Sequence, residues 1–223
     1  MRVWVAHRWY DFCKFLTWLF LSVFASLRTN GHANMPKTGA VLLLANHASF
    51  FDPPLLGVAV PRYCSHMARK SLFGKKFWGW LIASLDGFPV ESKGFSREGL
   101  MSMIAKIEEG KPVTMFPEGE RTHDGQMHEF KPGLLLLLKK VQCPIVPIGV
   151  AGTYQTFSRH HKFPSFCTIF TPADDRCIAL SVGKPVMPEE YGQWSRDEIL
   201  QKLFEVVQAQ EAEAKKLQRK RRI

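Results

Sequence analysis

Apolar positions along this chain come in short blocks cut by Gly and Pro, and the blocks alternate between two periodicities. Residues 40–45 read AVLLLA directly after Lys37-Thr38-Gly39. A short continuous apolar run of this kind predicts a strand buried on both faces. Further strands are expected at 63–67, 88–90, 113–116, 145–150 and 178–182. Between them lie helical patterns. Pro53-Pro54 starts a helix that runs through Ala59, and the aromatic-rich stretch 71–85 predicts another. Leu100, Met103, Ile104 and Ile107 recur at i, i+3, i+4, i+7, an amphipathic helix stopped by Gly110 and Pro112. Residues 134–138 form a buried helical segment. Ser195 followed by Glu198 makes a capping box, opening a helix through Ile199, Leu200, Leu203, Phe204 and Val207. Strands alternating with helices predict an α/β fold: a largely parallel mixed sheet covered by helices.

The two ends depart from this alternation. Residues 12–27 read FCKFLTWLFLSVFASL, between Arg8 and Arg28. A spanning helix needs about 20 apolar residues, and this run is shorter and holds Lys14. No A-x-A-like cleavage site follows it. The expectation is a hydrophobic N-terminal helix over 1–30, associated with one membrane leaflet through Trp4, Trp9, Tyr10 and Trp18; an ordinary buried first helix is the alternative. The α/β domain then covers 31–209. Residues 210–223 turn polar and end in a basic tail, either an anionic-lipid contact or a solvated terminus.

Composition narrows the class. With 223 residues, 46% hydrophobic and 22% charged, the chain can bury a full core. Its 30 basic and 20 acidic residues give a net charge of +10, which favours an anionic partner such as a lipid surface or a phosphorylated substrate. Helix-turn-helix, zinc-finger and RNP signatures are missing, so nucleic acid is not expected. Cys13, Cys64, Cys143, Cys167 and Cys177 are scattered and odd in number, which argues against a disulfide framework and for cysteines that serve as small packing residues. His123 and His160-His161 lack ligand-spaced partners, so no metal site is expected.

Two polar segments each follow a predicted buried strand, where ligands gather in such sheets. The first is Asn46-His47-Ala48-Ser49-Phe50-Phe51-Asp52. If this loop folds back, Asp52 can fix the His47 tautomer and stabilise the imidazolium formed when His47 takes a proton; Asp52 capping the helix at Pro53 is the plainer alternative. The second is Phe116-Pro117-Glu118-Gly119-Glu120-Arg121-Thr122. Gly119 permits close backbone approach, Arg121 offers a planar fork to phosphate oxygens, and Glu118 can accept from a ligand hydroxyl or hold Arg121. A surface turn with a local Glu–Arg pair is the plainer alternative.

Taken together, N-H-x-x-x-x-D followed by F-P-E-G-x-R, each after a buried strand, resembles the glycerolipid acyltransferase family, best known through the 1-acylglycerol-3-phosphate acyltransferases. The likeness spans about residues 37 to 155 and includes Lys131-x-Gly133 and the VPIGV block at 146–150. The resemblance implies that His47 is the general base on a glycerol hydroxyl and that Asp52 orients it. It implies direct attack on the thioester of acyl-CoA or acyl-carrier protein, with no cofactor beyond that co-substrate. Phe116, Pro117, Glu118, Gly119 and Arg121 would position a lysophospholipid or glycerol-phosphate acceptor at the cytoplasmic face of a membrane. The lack of a G-x-S-x-G elbow agrees with the absence of an acyl-enzyme. The block Gly87-Phe88-Pro89-Val90-Glu91-Ser92-Lys93 departs from the family pattern: Ser92 stands where a phosphate-binding arginine is expected. Lys93 and Arg69 are the substitute cations, and acceptor identity stays open. A CoA-independent transacylase or lysophospholipase using the same pair, and a non-enzymatic basic membrane-binding protein, are the competing classes.

Overall fold

The computed structural model describes residues 2–90 and 96–220, with side chains from His7 onward. The elements run α1 (Arg2–Ala25), β1 (Arg28–Asn30), a 3-10 turn (His32–Asn34), β2 (Val41–Ala45), α2 (Asp52–Ala59), β3 (Ser65–Arg69), α3 (Lys70–Phe73) and α4 (Lys76–Ser84). They continue with β4 (Gly87–Val90), α5 (Arg97–Glu108), β5 (Pro112–Met115), α6 (Gly133–Leu138), β6 (Ile145–Ala151), α7 (Thr153–Phe157), β7 (Ala179–Val182), α8 (Pro188–Tyr191) and α9 (Arg196–Leu217). Seven strands form one sheet in the order β1-β7-β6-β2-β5-β3-β4. Every neighbouring pair is parallel except β6 with β7, so β1 and β7 run against the other five.

The central strand β2 is fully buried along its length. Its side chains alternate between two cores, as the pleat requires. Leu42 and Leu44 join Met103, Ile104, Met115, Leu134, Leu137 and Leu203 beneath α5, α6 and α9. Val41, Leu43 and Ala45 join Leu55, Leu56, Val146, Ile148 and the α1 residues Leu21 and Ala25 on the opposite face. Each such leucine contributes roughly 1.5–3 kcal/mol by leaving water.

The N-terminal helix buries one side and exposes the other. One side docks on the domain: Leu21 and Ala25 are core residues, and the Tyr10 hydroxyl accepts from the Cys64 amide at 3.3 Å. The other side exposes Phe12, Phe15, Leu16 and Leu19 at helical spacing, with Trp18, Phe20 and Phe24 beside them. Among the described residues no helix is long and apolar enough to cross a membrane.

Four further differences from the sequence reading have physical causes. The helix expected over 71–85 breaks at Gly74-Lys75 into α3 and α4, a turn tight enough that a Cβ on Gly79 would sit 2.4 Å from the Phe73 carbonyl oxygen. Residues 28–30, grouped with the N-terminal segment, are an edge strand paired with β7. The boundary drawn at 209 falls inside α9, which runs to Leu217 and buries Glu211 and Ala214. Finally, Cys167 and Cys177 form a disulfide, with Cα atoms 5.2 Å apart. The loop bearing them folds back onto α1, where Ser26 Oγ donates to the Cys167 carbonyl at 2.9 Å.

Candidate active site

Parallel pairing sets the site's position. Leu44 lies beside Met115, and Ala45 beside Ile148. The segments leaving β2, β5 and β6 therefore emerge side by side at the carboxyl edge of the sheet, where open α/β sheets bind ligands. Asn46 closes the end of β2 onto β6: its side-chain amide donates to the Val150 carbonyl at 3.0 Å and accepts from the Val150 amide at 2.8 Å.

Directly after Asn46 the loop folds back on itself. The His47 imidazole Nδ1 lies 2.8 Å from Asp52 Oδ2, and the amides of Ala48 and Ser49 each donate to that same oxygen at 2.7 Å. Asp52 is fully buried and is the first residue of α2, but its side chain caps no helix amide among the described residues and holds the histidine loop instead, contrary to the plainer capping alternative. A carboxylate only accepts, so Nδ1 carries the proton and Nε2 presents its lone pair. Nε2 has no protein partner among the described residues, and the side chain keeps 18% of its surface exposed. Phe116 stacks on the imidazole face at 4.0 Å. Ser49 is buried, and its hydroxyl donates to the Phe157 carbonyl at 2.6 Å.

The segment after β5 braces this loop. Glu118 is buried, and both its oxygens take backbone amides: His47 N at 2.7 Å and His128 N at 3.0 Å. Burial pushes its carboxyl up to about 7, the two amides act against that, and the charges of Asp52 and Glu211 add to it. Thr122 N donates back to the His47 carbonyl at 2.8 Å, and the Pro117 carbonyl accepts from Lys131 N at 2.8 Å. Gly119 has φ +78°, the left-handed conformation that favours glycine. Arg121 is buried, stacks on the Phe50 ring at 3.4 Å, and leaves Nη1 without a partner. Its guanidinium is held below the usual arginine range by burial and then by Arg69 and Arg159, with Asp52 acting in the opposite sense.

The sequence candidates thus converge with differing parts. His47, Asp52, Phe116, Pro117, Glu118, Gly119 and Arg121 meet at one edge, and Arg69 ends β3, exposed, within electrostatic reach of Arg121. Lys93 and Ser92 lie outside the described residues. Arg62 donates to the carbonyls of Pro36 and Gly39. Trp78 and Trp80, in the aromatic-rich stretch, are exposed on α4, where Trp80 packs on Trp9 at 5.5 Å. Sequence reasoning missed Phe50, His128 and Arg159. Phe50 was legible as an aromatic inside the histidine motif; the other two carry no local signal. Among the described residues one group has metal-compatible spacing, Cys167, Asp174 and Cys177, but its two sulfurs are bonded to each other, which removes the thiolates a metal needs.

A sheet that delivers a buried His–Asp pair and a guanidinium to one edge defines a class, and sequence comparison assigns the chain to it. The family model described as Acyltransferase matches residues 26–151, a span that contains both motifs, and the chain belongs to that family. Its relatives include the 1-acyl-sn-glycerol-3-phosphate acyltransferase of Bacillus subtilis, 27% identical over 144 residues, 64% of this chain and 71% of the relative. The alpha 1-acyl-sn-glycerol-3-phosphate acyltransferase of Mus musculus is 30% identical over 177 residues, 70% of this chain and 60% of the relative. The chain is also similar to the crystal structure of the 1-acyl-sn-glycerophosphate acyltransferase PlsC from Thermotoga maritima. That match has a TM-score of 0.76 at 25% identity, covering 97% of this chain and 83% of the other.

Proposed function

We propose that this protein transfers a fatty acyl group from the thioester of acyl-CoA or acyl-carrier protein to the free hydroxyl of 1-acylglycerol 3-phosphate, giving phosphatidate. The observation that carries the reading is the His47 Nδ1–Asp52 Oδ2 contact of 2.8 Å with Nε2 left open. Nε2 takes the proton of the acceptor hydroxyl, and that oxygen attacks the thioester carbonyl. The tetrahedral intermediate then expels the thiolate, which recovers the proton from His47. Asp52 keeps Nδ1 protonated and offsets the imidazolium charge. Arg121, with Arg69 at the mouth, binds the acceptor phosphate. Lys93 remains a proposed contributor, and the printed names of the relatives support the acceptor class.

The exposed aromatic side of α1, continued by Phe77, Trp78 and Trp80 of α4, is the surface we assign to the lipid interface, with Lys75 and Lys76 toward headgroups. Truncating residues 1–28 would strip core residues Leu21 and Ala25, so the cleaner test is Phe12→Ser with Phe15→Ser and Leu19→Ser. This triple variant is expected to stop sedimenting with anionic vesicles; undiminished sedimentation overturns the assignment.

The activity is tested by thiol release from purified protein with a panel of donors and acceptors. Release is expected to depend on a phosphorylated acceptor and to fall about 10²–10⁴-fold in His47→Ala. Acceptor-independent release would favour a hydrolase, and activity surviving in His47→Ala would remove the mechanism.

A further inference from the structure

We propose that Arg159, outside the motifs and beyond the matched span, is a phosphate-binding residue of the acceptor site and supplies the guanidinium fork that position 92 lacks. The proposal rests on the acceptor assignment above and deepens it.

Arg159 follows α7, in the segment that leaves β6 at the carboxyl edge of the sheet. Two contacts fix this segment against the histidine loop. Ser49 Oγ donates to the Phe157 carbonyl at 2.6 Å, and the Phe157 ring packs on Phe50 at 5.2 Å and Phe51 at 5.3 Å. Phe50 is the ring beneath the Arg121 guanidinium. Arg159 itself pairs with Glu120, the residue preceding Arg121, at 3.2 Å, and touches His123. Its side chain keeps 18% of its surface exposed. Arg69 and Arg159 both lie within electrostatic reach of Arg121, whose guanidinium sits over the Phe50 ring of the histidine loop.

Among the described residues the charges there do not balance. Asp52 is committed to His47 and two amides. Glu120 is the acid paired with Arg159, and it is 57% exposed, hence screened. Arg121 Nη1 is buried and without a partner. Like charges held together with a donor unused are unfavourable until an anion arrives, and a phosphate monoester brings close to two negative charges and three acceptor oxygens. Arginine suits it because the planar fork pairs two oxygens at once, which a lysine cannot do. The family model ends at residue 151, before Arg159, and Ser92 occupies the expected arginine's place in the sequence.

The test is steady-state kinetics of the full chain with Arg159→Ala, Arg159→Lys and Glu120→Gln, beside titration of each with glycerol 3-phosphate. Arg159→Ala is expected to raise the acceptor KM about tenfold to hundredfold, with kcat falling by less than about threefold and the acyl-donor KM little changed. Arg159→Lys should recover only part of the loss. Glu120→Gln separates a ligand contact from a structural ion pair: it should leave acceptor KM equal or lower, whereas loss matching Arg159→Ala means the pair alone matters and overturns the proposal. An unchanged acceptor KM in Arg159→Ala, or a rise confined to the acyl donor, overturns it as well. If the wild type fails to acylate the phosphorylated acceptor yet binds glycerol 3-phosphate at least about tenfold more tightly than Arg159→Ala, the proposed reaction falls and the anion site stands.

Discussion

Two carboxylates lie buried beside His47, and they are held in different ways. Asp52 takes three donors on one oxygen, all from the seven-residue loop 46–52 that it terminates. Glu118 takes two donors on two oxygens, from segments on either side of the site. Asp52 is a local device: the loop that presents the histidine also presents its partner. Glu118 is a cross-brace, and its geometry exists only when the segments after β2 and β5 have both been placed by the sheet. The contrast separates orienting a reacting group from fixing the main chain beneath it.

Breaking the local device should have the largest effect. Asp52→Asn offers Nδ1 an amide in place of a carboxylate and favours the wrong tautomer, so kcat is expected to fall about 10³–10⁴-fold with acceptor KM within about threefold. Steady-state kinetics checks this; a KM effect alone would make Asp52 a brace of the loop main chain and nothing more. Breaking the brace should cost less. In Glu118→Gln the amide nitrogen must face one of two backbone donors, leaving that N–H unpaired at about 1–3 kcal/mol. The shift of His47 should lower kcat about 10- to 100-fold. A pure rise in acceptor KM would instead restore the sequence-based expectation that Glu118 contacts a ligand hydroxyl.

The same variant sharpens the comparison through pH. Glu118 is raised from 4.5 to about 7 in the folded chain. Between those values the folded state holds a proton that the unfolded state releases. Stability from this group is therefore present below about pH 4.5 and is lost as pH rises towards 7, by about 3 kcal/mol at most. Denaturant unfolding of wild type against Glu118→Gln from pH 5 to 8 should show the difference moving against wild type; a flat difference would mean the carboxyl titrates normally. The smallest effect is expected from Phe50→Leu, which removes the ring under Arg121 and should raise acceptor KM about threefold. No change would assign that ring to packing alone.

The comparison also explains what could be read in advance. The His47–Asp52 relation was legible because both residues sit in one short loop after an unmistakable buried strand, AVLLLA. The presence of Glu118 and Arg121 was legible as well, but the brace was not, because its second donor, His128, belongs to a turn with no pattern of its own. Arg159 was invisible for the stronger reason that only the sheet order places it. The α3–α4 break escaped detection because the apolar pattern of this segment reads as one helix straight through the turn at Gly74. Strand β1, Arg-Thr-Asn, carries no alternation and exists through its pairing with β7. Sequence periodicity reports which face an element buries, and it is silent about edges and close approaches.

The clasp between Asn46 and Val150 has a consequence for how freely this chain can vary. At that point a side chain stands in for a ladder residue, giving one donor and one acceptor to a neighbouring backbone. Aspartate has no donor, serine is too short to span both groups, and glutamine is one methylene too long. Position 46 therefore has no chemical synonym among the amino acids for this paired contact. Its mutational tolerance is set by sheet closure, and it will be as narrow as that of the histidine beside it.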